Sequence, residues 1–539
     1  MDVISIGDEP RAALLASQSW TVALPRKATL TFGVGARFDG AGEAPGWGRF
    51  VVALDGREIA REVVNPRVAH DWKDVAVDLD ASPGRRVLSI SIRFTDKDGL
   101  DLPQPAELRL AVSDPVVHDQ AGYGLKRGVI LVSVDTLRRD HVGAYGYPKP
   151  TTPTFDAIGK AGVIADDAVS VSSWTLPSHL SMLTSVLPGT HGGTDMKQGF
   201  NRSVPSVAEI LRDQGFATHA VTSHLYVSPT YGLEAGFDSM NFRQDRLAEN
   251  VANHAMDLVD RFGDRPFFIF LHFYDPHWHY APPPDVLKIF ETSYAGKLTG
   301  NLKDFQNLRP DQVKPADLDH LLALYDGEIR YTDNEIGRLI THLKDRGVLR
   351  NTLMVLTSDH GEEFLEHGSW EHQKTLYEEV IRIPLMVAGP GVAPRREARP
   401  VSLLDVAPTI LDFLSIKPAP SMKGVSLLRP LLDSREMYGE TDHTTDGTRL
   451  SFLRGGARSW KAILRSDPLK QMERTSEWYD LAVDPGETAN RPPVASLRAS
   501  VEARAKEAAL KSRSSAAGKP VDLSAEQKER LRALGYIGR

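Results

Sequence analysis

Short, continuously apolar runs separated by longer helical patterns constrain this chain more than any other feature. From about residue 126 onward, "RGVILVSVD", "FATHAVTS", "RPFFIFLHFYD", "NTLMVLTSDH" and "IRIPLMVAG" are each too short for a buried helix and lack the every-second-residue polarity of a half-exposed strand. They read as strands covered on both faces. Between them, "TPTFDAIGKAG", "SVAEILRDQG" and "LDHLLALYDGEIRYTDNEIGRLITHLKDRG" carry helical spacing. The alternation predicts an α/β domain over residues 126–430, a mostly parallel sheet sandwiched by helices.

The flanks differ in texture. In residues 1–120, "KATLTFGVGARF", "GRFVVALDGREI", "RRVLSISIRFTD" and "AELRLAVSD" alternate with period two between Gly, Pro and Asp, which predicts an extra N-terminal β-sandwich domain. It shows no catalytic cluster, so a packing or oligomerisation module is expected ahead of a carbohydrate-binding one, and homo-oligomerisation stays open. In residues 431–539, "SWKAILRSD" and "SEWYDLAV" read as strands before the charged helical segment "SLRASVEARAKEAALKSRSSAAGKP". A small C-terminal subdomain with terminal helices and a polar connection is expected.

The 539 residues carry 64 Lys plus Arg against 71 Asp plus Glu, a formal charge of -7, which disfavours an electrostatic grip on nucleic acid or an anionic membrane surface. There is no cysteine, hence no disulfide, thiolate zinc site or cysteine nucleophile. No apolar run approaches the ~20 residues of a membrane span, and the first residues lack the pattern of a signal peptide. A soluble protein is expected, either cytoplasmic or a processed periplasmic or secreted form.

In a doubly wound sheet, ligands gather at the carboxyl ends of the strands. Those ends carry Asp135, then His272, Asp275, His277 and His279, then Asp359 and His360. Carboxylates and imidazoles brought from distant strands to one edge form a metal-site pattern suited to zinc, manganese, magnesium or calcium. Each residue alone also has an ordinary reading: Asp135 as a turn residue or helix cap, a lone His as a hydrogen-bonded filler. "SVSSWTLPSHLSMLTS", residues 170–185, adds a hydroxyl. Thr175 stands directly before helical spacing, where it reads as an N-cap or as a nucleophile at the positive helix end. Local sequence leaves both open.

From about residue 127 onward the motifs resemble the sulfatase branch of the alkaline phosphatase superfamily. "VSVDTLRRDHVGAYGYPKPTTPTFDAIGKAGVIADDA" is similar to the family's opening strand and loop, with Asp135 at a metal-ligand position. "TLPSH" resembles the nucleophile signature (Cys or Ser, any residue, Pro, Ser, Arg) and puts Thr175 at the nucleophile. "DPHWHYAPPP" resembles the segment with a catalytic His, here His277. "LTSDHGEEFLEHGSWEHQKTLYEEVIRIPLMVAGPG" resembles the segment of metal ligands and lysine, with Asp359, His360 and Lys374. "LDVAPTILDFLSI" and "EWYDLAVDPGETAN" are similar to its closing motifs.

Four departures from the family pattern fall in the site. Thr175 replaces the residue that sulfatases convert to formylglycine, so no formylglycine is expected. His179 stands where they carry Arg, and Thr136 where they usually carry a second Asp. Around "VTSHL" the family's Lys is missing while His224 remains. Formylglycine hydrate has a second hydroxyl that expels sulfate; threonine has one oxygen, whereas a phosphothreonine can be hydrolysed by in-line water attack. The expected function is therefore a metal-dependent hydrolase of phosphate or phosphonate esters, a phosphodiesterase or phosphomonoesterase working through a covalent Thr175 intermediate on a small anionic ester. The alternatives are a sulfatase using unmodified Thr, and a non-catalytic binding protein. Asp135, Asp359 and His360, with the Thr175 oxygen, would hold one metal, with His277 and Lys374 stabilising charge or protonating the leaving oxygen. His179 and His372 are further catalytic candidates. Asp275, His279 and His372 or His367 could instead form a second metal site. Ser172, Ser173 and Ser178 read as structural. The stretch 285–319 reads as a substrate wall or lid, its Lys288, Lys297, Lys303 and Arg309 mostly solvated.

Overall fold

The computed structural model describes residues 2–6, 9–24, 28–40, 46–67, 72–79, 83–119, 128–291, 293–301, 304, 309–442, 449–455, 460–467, 472–493, 495–512 and 517–533. Before residue 120 the chain forms two antiparallel sheets. One orders Gln18–Leu24, Gly84–Thr95, Trp47–Leu54 and Arg57–Val64; the other orders Asp2–Ile6, Glu9–Leu14, Leu108–Asp119, Ala28–Phe38 and Lys73–Leu79. Period-two burial along Trp47–Leu54 sends Phe50 and Val52 inward. They meet Leu30, Phe32 and Val34 of the facing sheet in one apolar core. The expected junction at 120–126 lies outside the described residues.

The central sheet has eight strands: β1 (Gly128–Val134), β2 (Val163–Ala165), β3 (Ala217–Thr222), β4 (Ser239–Phe242), β5 (Phe267–Phe273), β6 (Thr352–Ser358), β7 (Leu385–Ala388) and β8 (Arg395–Glu397). Their spatial order is β4-β3-β5-β1-β6-β7-β2-β8, parallel except for β7. Every residue of β1, β3, β5 and β6 is buried, which is why these strands are mostly apolar rather than alternating. "IRIPLMVAG" divides: Arg382–Ile383 pairs with Ala168–Val169 in a separate small sheet, and only Leu385–Ala388 enters the large one.

Helices α1 (Pro153–Lys160), α2 (Thr175–Thr184), α3 (Val207–Asp213), α4 (Ala248–Phe262), α5 (Pro315–Asp345) and α6 (Val406–Phe413) accompany the sheet. Ser206 and Glu209 form a capping box that starts α3 where "SVAE" announces it. The C-terminal region holds four antiparallel strands, Glu436–Thr441, Arg449–Gly455, Trp460–Asp467 and Met472–Tyr479, against helix Ala495–Ser512. Two of the four were not read from sequence. Val501 and Ala505 of that helix pack on Leu453, Ala462, Leu464 and Trp478.

Candidate active site

Strand register assembles the site. Val134 on β1 lies opposite Phe273 on β5 and Ser358 on β6, so Asp135 and Asp359 leave adjacent central strands at one level. Both are fully buried, as is His360. The ligand atoms of Asp135, Asp359 and His360 lie within 4.8 Å of one another. Nδ1 of His360 donates to the Gly361 carbonyl (2.9 Å), which leaves Nε2 as the ring's other face. That nitrogen lies 3.2 Å from Oδ2 of Asp359 and 3.6 Å from Oδ1 of Asp135.

Burial and mutual charge perturb every member of this cluster. Burial, with Asp359 adding repulsion, raises the Asp135 carboxyl to about 6. Burial also works against charge on His360, yet Asp359 and Asp135 outweigh it and lift the imidazole to about 9. Asp359, opposed by burial but flanked by His360 and His179, is held below the ordinary carboxylate range. Oδ1 of Asp135 and Oδ2 of Asp359 have no hydrogen-bond partner among the described residues. Buried carboxylate oxygens of this kind are costly unless an ion meets them, so the donor set fits a divalent metal.

Thr175 is the first residue of α2, 1% exposed, with its hydroxyl 3.4 Å from Nε2 of His360. Trp174, in extended geometry, is the N-cap residue, and no side chain caps the helix. The capping reading of Thr175 is thereby corrected: an N-cap must lie outside helical dihedrals, and Thr175 is already inside them. Pro177 fits the first turn, where its missing N–H has no intrahelical partner to lose. One turn on, His179 donates from Nδ1 to the Thr175 carbonyl (2.8 Å), and its Nε2 accepts from the Ser133 hydroxyl (3.0 Å). Burial lowers His179 to about 4, so it stands neutral in the Arg position of the pattern. His272 donates to Oδ2 of Asp135 (3.1 Å) and is likewise lowered to about 4 by burial.

His277 stacks on Tyr274 at 4.5 Å and donates from Nδ1 to the Trp278 carbonyl (2.8 Å); burial lowers it to about 4. His224 stacks on Tyr274 at 4.9 Å, its ring centre 6.3 Å from that of His277. His372 has its ring centre 4.4 Å from that of His360 and 5.0 Å from that of His277. Its Nδ1 meets Oε1 of Glu362 at 3.1 Å. On either side of it Glu371 (φ 70°) and Gln373 (φ 77°) adopt left-handed backbone. Such dihedrals cost non-glycine residues on the order of 1–3 kcal/mol each and cluster at functional sites.

Not every candidate converges. Lys374 is 38% exposed and its ammonium is held by Glu371 (2.9 Å) and the Trp370 carbonyl (3.1 Å). Asp275 accepts from the backbone N–H of Ala248 (3.0 Å), occupying the N-terminus of α4, and His279 is solvent-exposed. His367 sits between Glu379 (2.7 Å) and the Glu487 carbonyl (3.3 Å). Asp275, His279 and His372 therefore do not form a ligand cluster among the described residues; the helix N-terminus claims Asp275 first. Lys288 and Arg309 pair with neighbouring acids at the surface and Lys297 is exposed, while Lys303 lies outside the described residues.

Sequence reasoning passed over Ser133, Glu362 and Tyr325. Ser133 shares a strand face with Asp135, two residues on, which was a readable signal. Tyr325, inside α5, donates its hydroxyl to the Thr136 carbonyl (2.6 Å) and accepts from the Arg138 N–H (2.9 Å), pinning the loop after β1; nothing local announced it.

A sequence model of the family described as Sulfatase matches residues 127–416, just over half the chain. An arylsulfatase of Clostridium perfringens is 23% identical over 446 residues, 68% of this chain and 90% of its own. N-acetylglucosamine-6-O-sulfatase of Bacteroides thetaiotaomicron is 23% identical over 435 residues, covering 64% and 77% respectively. Among solved structures, phosphonate monoester hydrolase of Agrobacterium radiobacter has a TM-score of 0.57 at 18% identity, covering 72% of this chain and 96% of that one.

Proposed function

The chain belongs to the sulfatase family of the alkaline phosphatase superfamily, and from that premise we propose that it is a metal-dependent hydrolase of phosphodiesters or phosphonate monoesters with Thr175 as nucleophile. The observation that carries this reading is the Thr175 hydroxyl at the start of α2, 3.4 Å from Nε2 of His360, which itself clusters with Asp135 and Asp359.

Asp135, Asp359 and His360 would hold the divalent cation, which when bound supplies Lewis-acid stabilisation of negative charge on the transferring group. The start of α2 contributes its positive dipole end to the same charge. Thr175 attacks phosphorus in line, the bond to the departing alcohol oxygen breaks with its electron pair on that oxygen, and the threonine hydroxyl proton passes through solvent to that oxygen, so that an alcohol leaves. This forms a threonine ester and splits one hard displacement into two easier ones. His277, buried beside Tyr274 and His372, would act on the departing or equatorial oxygen; Lys374, the most exposed of the set, would meet the outer part of the substrate. His179 holds the Thr175 carbonyl and so orients the nucleophile.

Threonine directs this choice of ester. With a single side-chain oxygen it lacks the second hydroxyl by which a hydrated aldehyde releases sulfate, whereas its phosphoester is open to water attack at phosphorus. A second reading, sulfate-ester hydrolysis by unmodified Thr175, draws on relatives that bear sulfatase names. Initial rates of the metal-loaded protein on p-nitrophenyl sulfate, p-nitrophenyl phosphate, bis-p-nitrophenyl phosphate and p-nitrophenyl phenylphosphonate decide between them. The diester or phosphonate is expected to be fastest; sulfate as the fastest substrate overturns the phosphoryl reading in favour of the second one.

A further inference from the structure

Thr136, directly after Asp135, holds a φ of 53°, a left-handed conformation that is an outlier for a β-branched residue. Its own hydroxyl is buried with no hydrogen-bond partner among the described residues, so the side chain does not secure that turn. The nearby contacts are long: the Leu137 N–H reaches the Val134 carbonyl at 3.4 Å, and the Thr136 N–H lies 3.4 Å from Oδ1 of Asp359. The short bonds come from outside. The Tyr325 hydroxyl donates to the Thr136 carbonyl (2.6 Å) and accepts from the Arg138 N–H (2.9 Å), one bond on each side of Leu137. That hydroxyl is itself held in place, because Tyr325 is fully buried in α5 with its ring centre 5.1 Å from those of His141 and Phe364 and 5.7 Å from that of Tyr280. From Arg138 the restraint passes on: its Nη1 donates to the Glu362 carbonyl (3.0 Å), two residues after His360. One hydroxyl therefore fixes the loop that begins with Asp135 and, through Arg138, ties it to the loop that begins with Asp359 and His360.

We propose that Tyr325 is a positioning residue for the metal centre: its hydroxyl keeps Thr136 left-handed and thereby holds the Asp135 carboxylate in register with Asp359 and His360. The inference rests on the metal reading of the preceding section, and not on the choice of nucleophile or ester. Three ligand side chains meet here among the described residues, so displacement of one weakens the whole set. Groups that orient metal ligands typically set metal affinity by roughly 10–100-fold; Tyr325 acts through the backbone beside a ligand, which places its effect at the lower end, about tenfold. A tyrosine that merely filled space would contribute its ring packing and leave metal affinity alone.

The test reads metal affinity rather than turnover. Wild type, Tyr325→Phe and Tyr147→Phe are stripped with chelator and titrated with zinc, and in a second series with manganese, in competition with a fluorescent chelator. Thermal midpoints of the metal-free proteins are recorded alongside. Phenylalanine keeps the ring and deletes only the hydroxyl. Tyr147 is the control for lost stability, because its hydroxyl bonds Asp326, the next residue of α5 (2.7 Å), and not the turn at Thr136. Tyr325→Phe is expected to bind metal about tenfold more weakly and Tyr147→Phe within about twofold of wild type, even where both lower the thermal midpoint. If metal-free Tyr325→Phe does not stay folded, the metal-loaded protein is challenged with excess chelator instead, and release about tenfold faster than from wild type is expected. Affinity and release unchanged in Tyr325→Phe, or weakened equally in Tyr147→Phe, overturns this inference alone. Wild type that takes up neither zinc nor manganese brings down the metal reading and this inference with it.

Discussion

Replacing Thr175 with valine separates chemistry from fold. Valine keeps the branched shape and exchanges the hydroxyl for a methyl group. The hydroxyl's contact with His360 is long, 3.4 Å, so its loss costs the fold about 1 kcal/mol at most. No cap disappears, since Trp174 holds the N-cap position. Removing a nucleophile that acts within a catalytic set costs on the order of 10⁴–10⁶ in kcat, or about 5–8 kcal/mol at 1.36 kcal/mol per decade. The chemical effect therefore exceeds the structural one about fivefold or more. Thr175→Ser, which loses one buried methyl worth roughly 0.8 kcal/mol, should stay within about tenfold of wild type. Steady-state rates on bis-p-nitrophenyl phosphate, thermal midpoints and metal content are measured for all three proteins. If Thr175→Val folds, binds the same metal and retains a tenth of wild-type kcat/KM, Thr175 is not the nucleophile.

Other residues give further tests. Burial raises the Asp275 carboxyl to about 7, and asparagine can still accept from Ala248, so Asp275→Asn should leave activity within about threefold and metal at one per chain; a lost metal equivalent by mass spectrometry revives the two-metal reading. His367, opposed by burial but bonded to Glu379, is raised to about 9, above its unfolded value. Its stabilisation is thus complete below about pH 6.5 and fades as pH rises through about 9. His367→Gln should accordingly lower urea midpoints more at pH 6 than at pH 9.5, and equal losses at both would contradict the pair. Arg454, fully buried with Asp167 at 2.6 Å and Glu378 at 3.6 Å, ties the C-terminal sheet to the catalytic domain. Arg454→Met removes one cation from a buried network in which Glu378 keeps Lys461 (3.2 Å) and Asp167 keeps Arg382 (3.6 Å), and should cost about 3 kcal/mol in denaturant unfolding; a loss under 1 kcal/mol would show Arg454 to be dispensable.

The parts of this fold that were legible in sequence are those where one physical demand dominates. Burial on both faces makes β1, β5 and β6 mostly apolar, and the charged residue that follows such a run is visible against it; Asp135, Asp359 and His360 were read that way. Thr175 and His179 were legible as neighbours one helical turn apart. The strands Glu436–Thr441 and Arg449–Gly455 were not, because "EMYGET" and "RLSFLRG" mix charge with apolar residues at a sheet whose inward charges, such as Arg454, are paired by a different domain. The roles of Lys374 and His372 depend on the left-handed dihedrals at Glu371 and Gln373, which turn adjacent side chains in directions no periodic pattern encodes. Asp275 showed a ligand-type residue at a strand end, but only the packing of α4 against β5 shows that a helix N-terminus takes it.

The departures from the sulfatase pattern make sense together as charge. Arg to His179 removes a positive charge, because burial keeps that imidazole neutral. Asp to Thr136 removes a negative one from the adjoining strand end. These two changes cancel, as buried charges must when neither keeps a partner. The missing Lys near His224 does not cancel, and His224, also disfavoured by burial from protonating, does not replace it. The site is then one positive charge poorer than the pattern it resembles. A phosphate monoester dianion would bring two charges to it, a phosphodiester or phosphonate monoester only one. Each unit charge near such a site is worth up to ~4 kcal/mol at 4 Å and an effective dielectric of about 20, so the loss selects against the dianion. Sulfate monoesters also carry a single charge, and against them the selection is chemical: the one oxygen of Thr175 must be regenerated by water attack rather than by collapse to an aldehyde. On the proposed reading, charge would select a singly charged ester and the threonine oxygen would select phosphorus over sulfur, two independent axes.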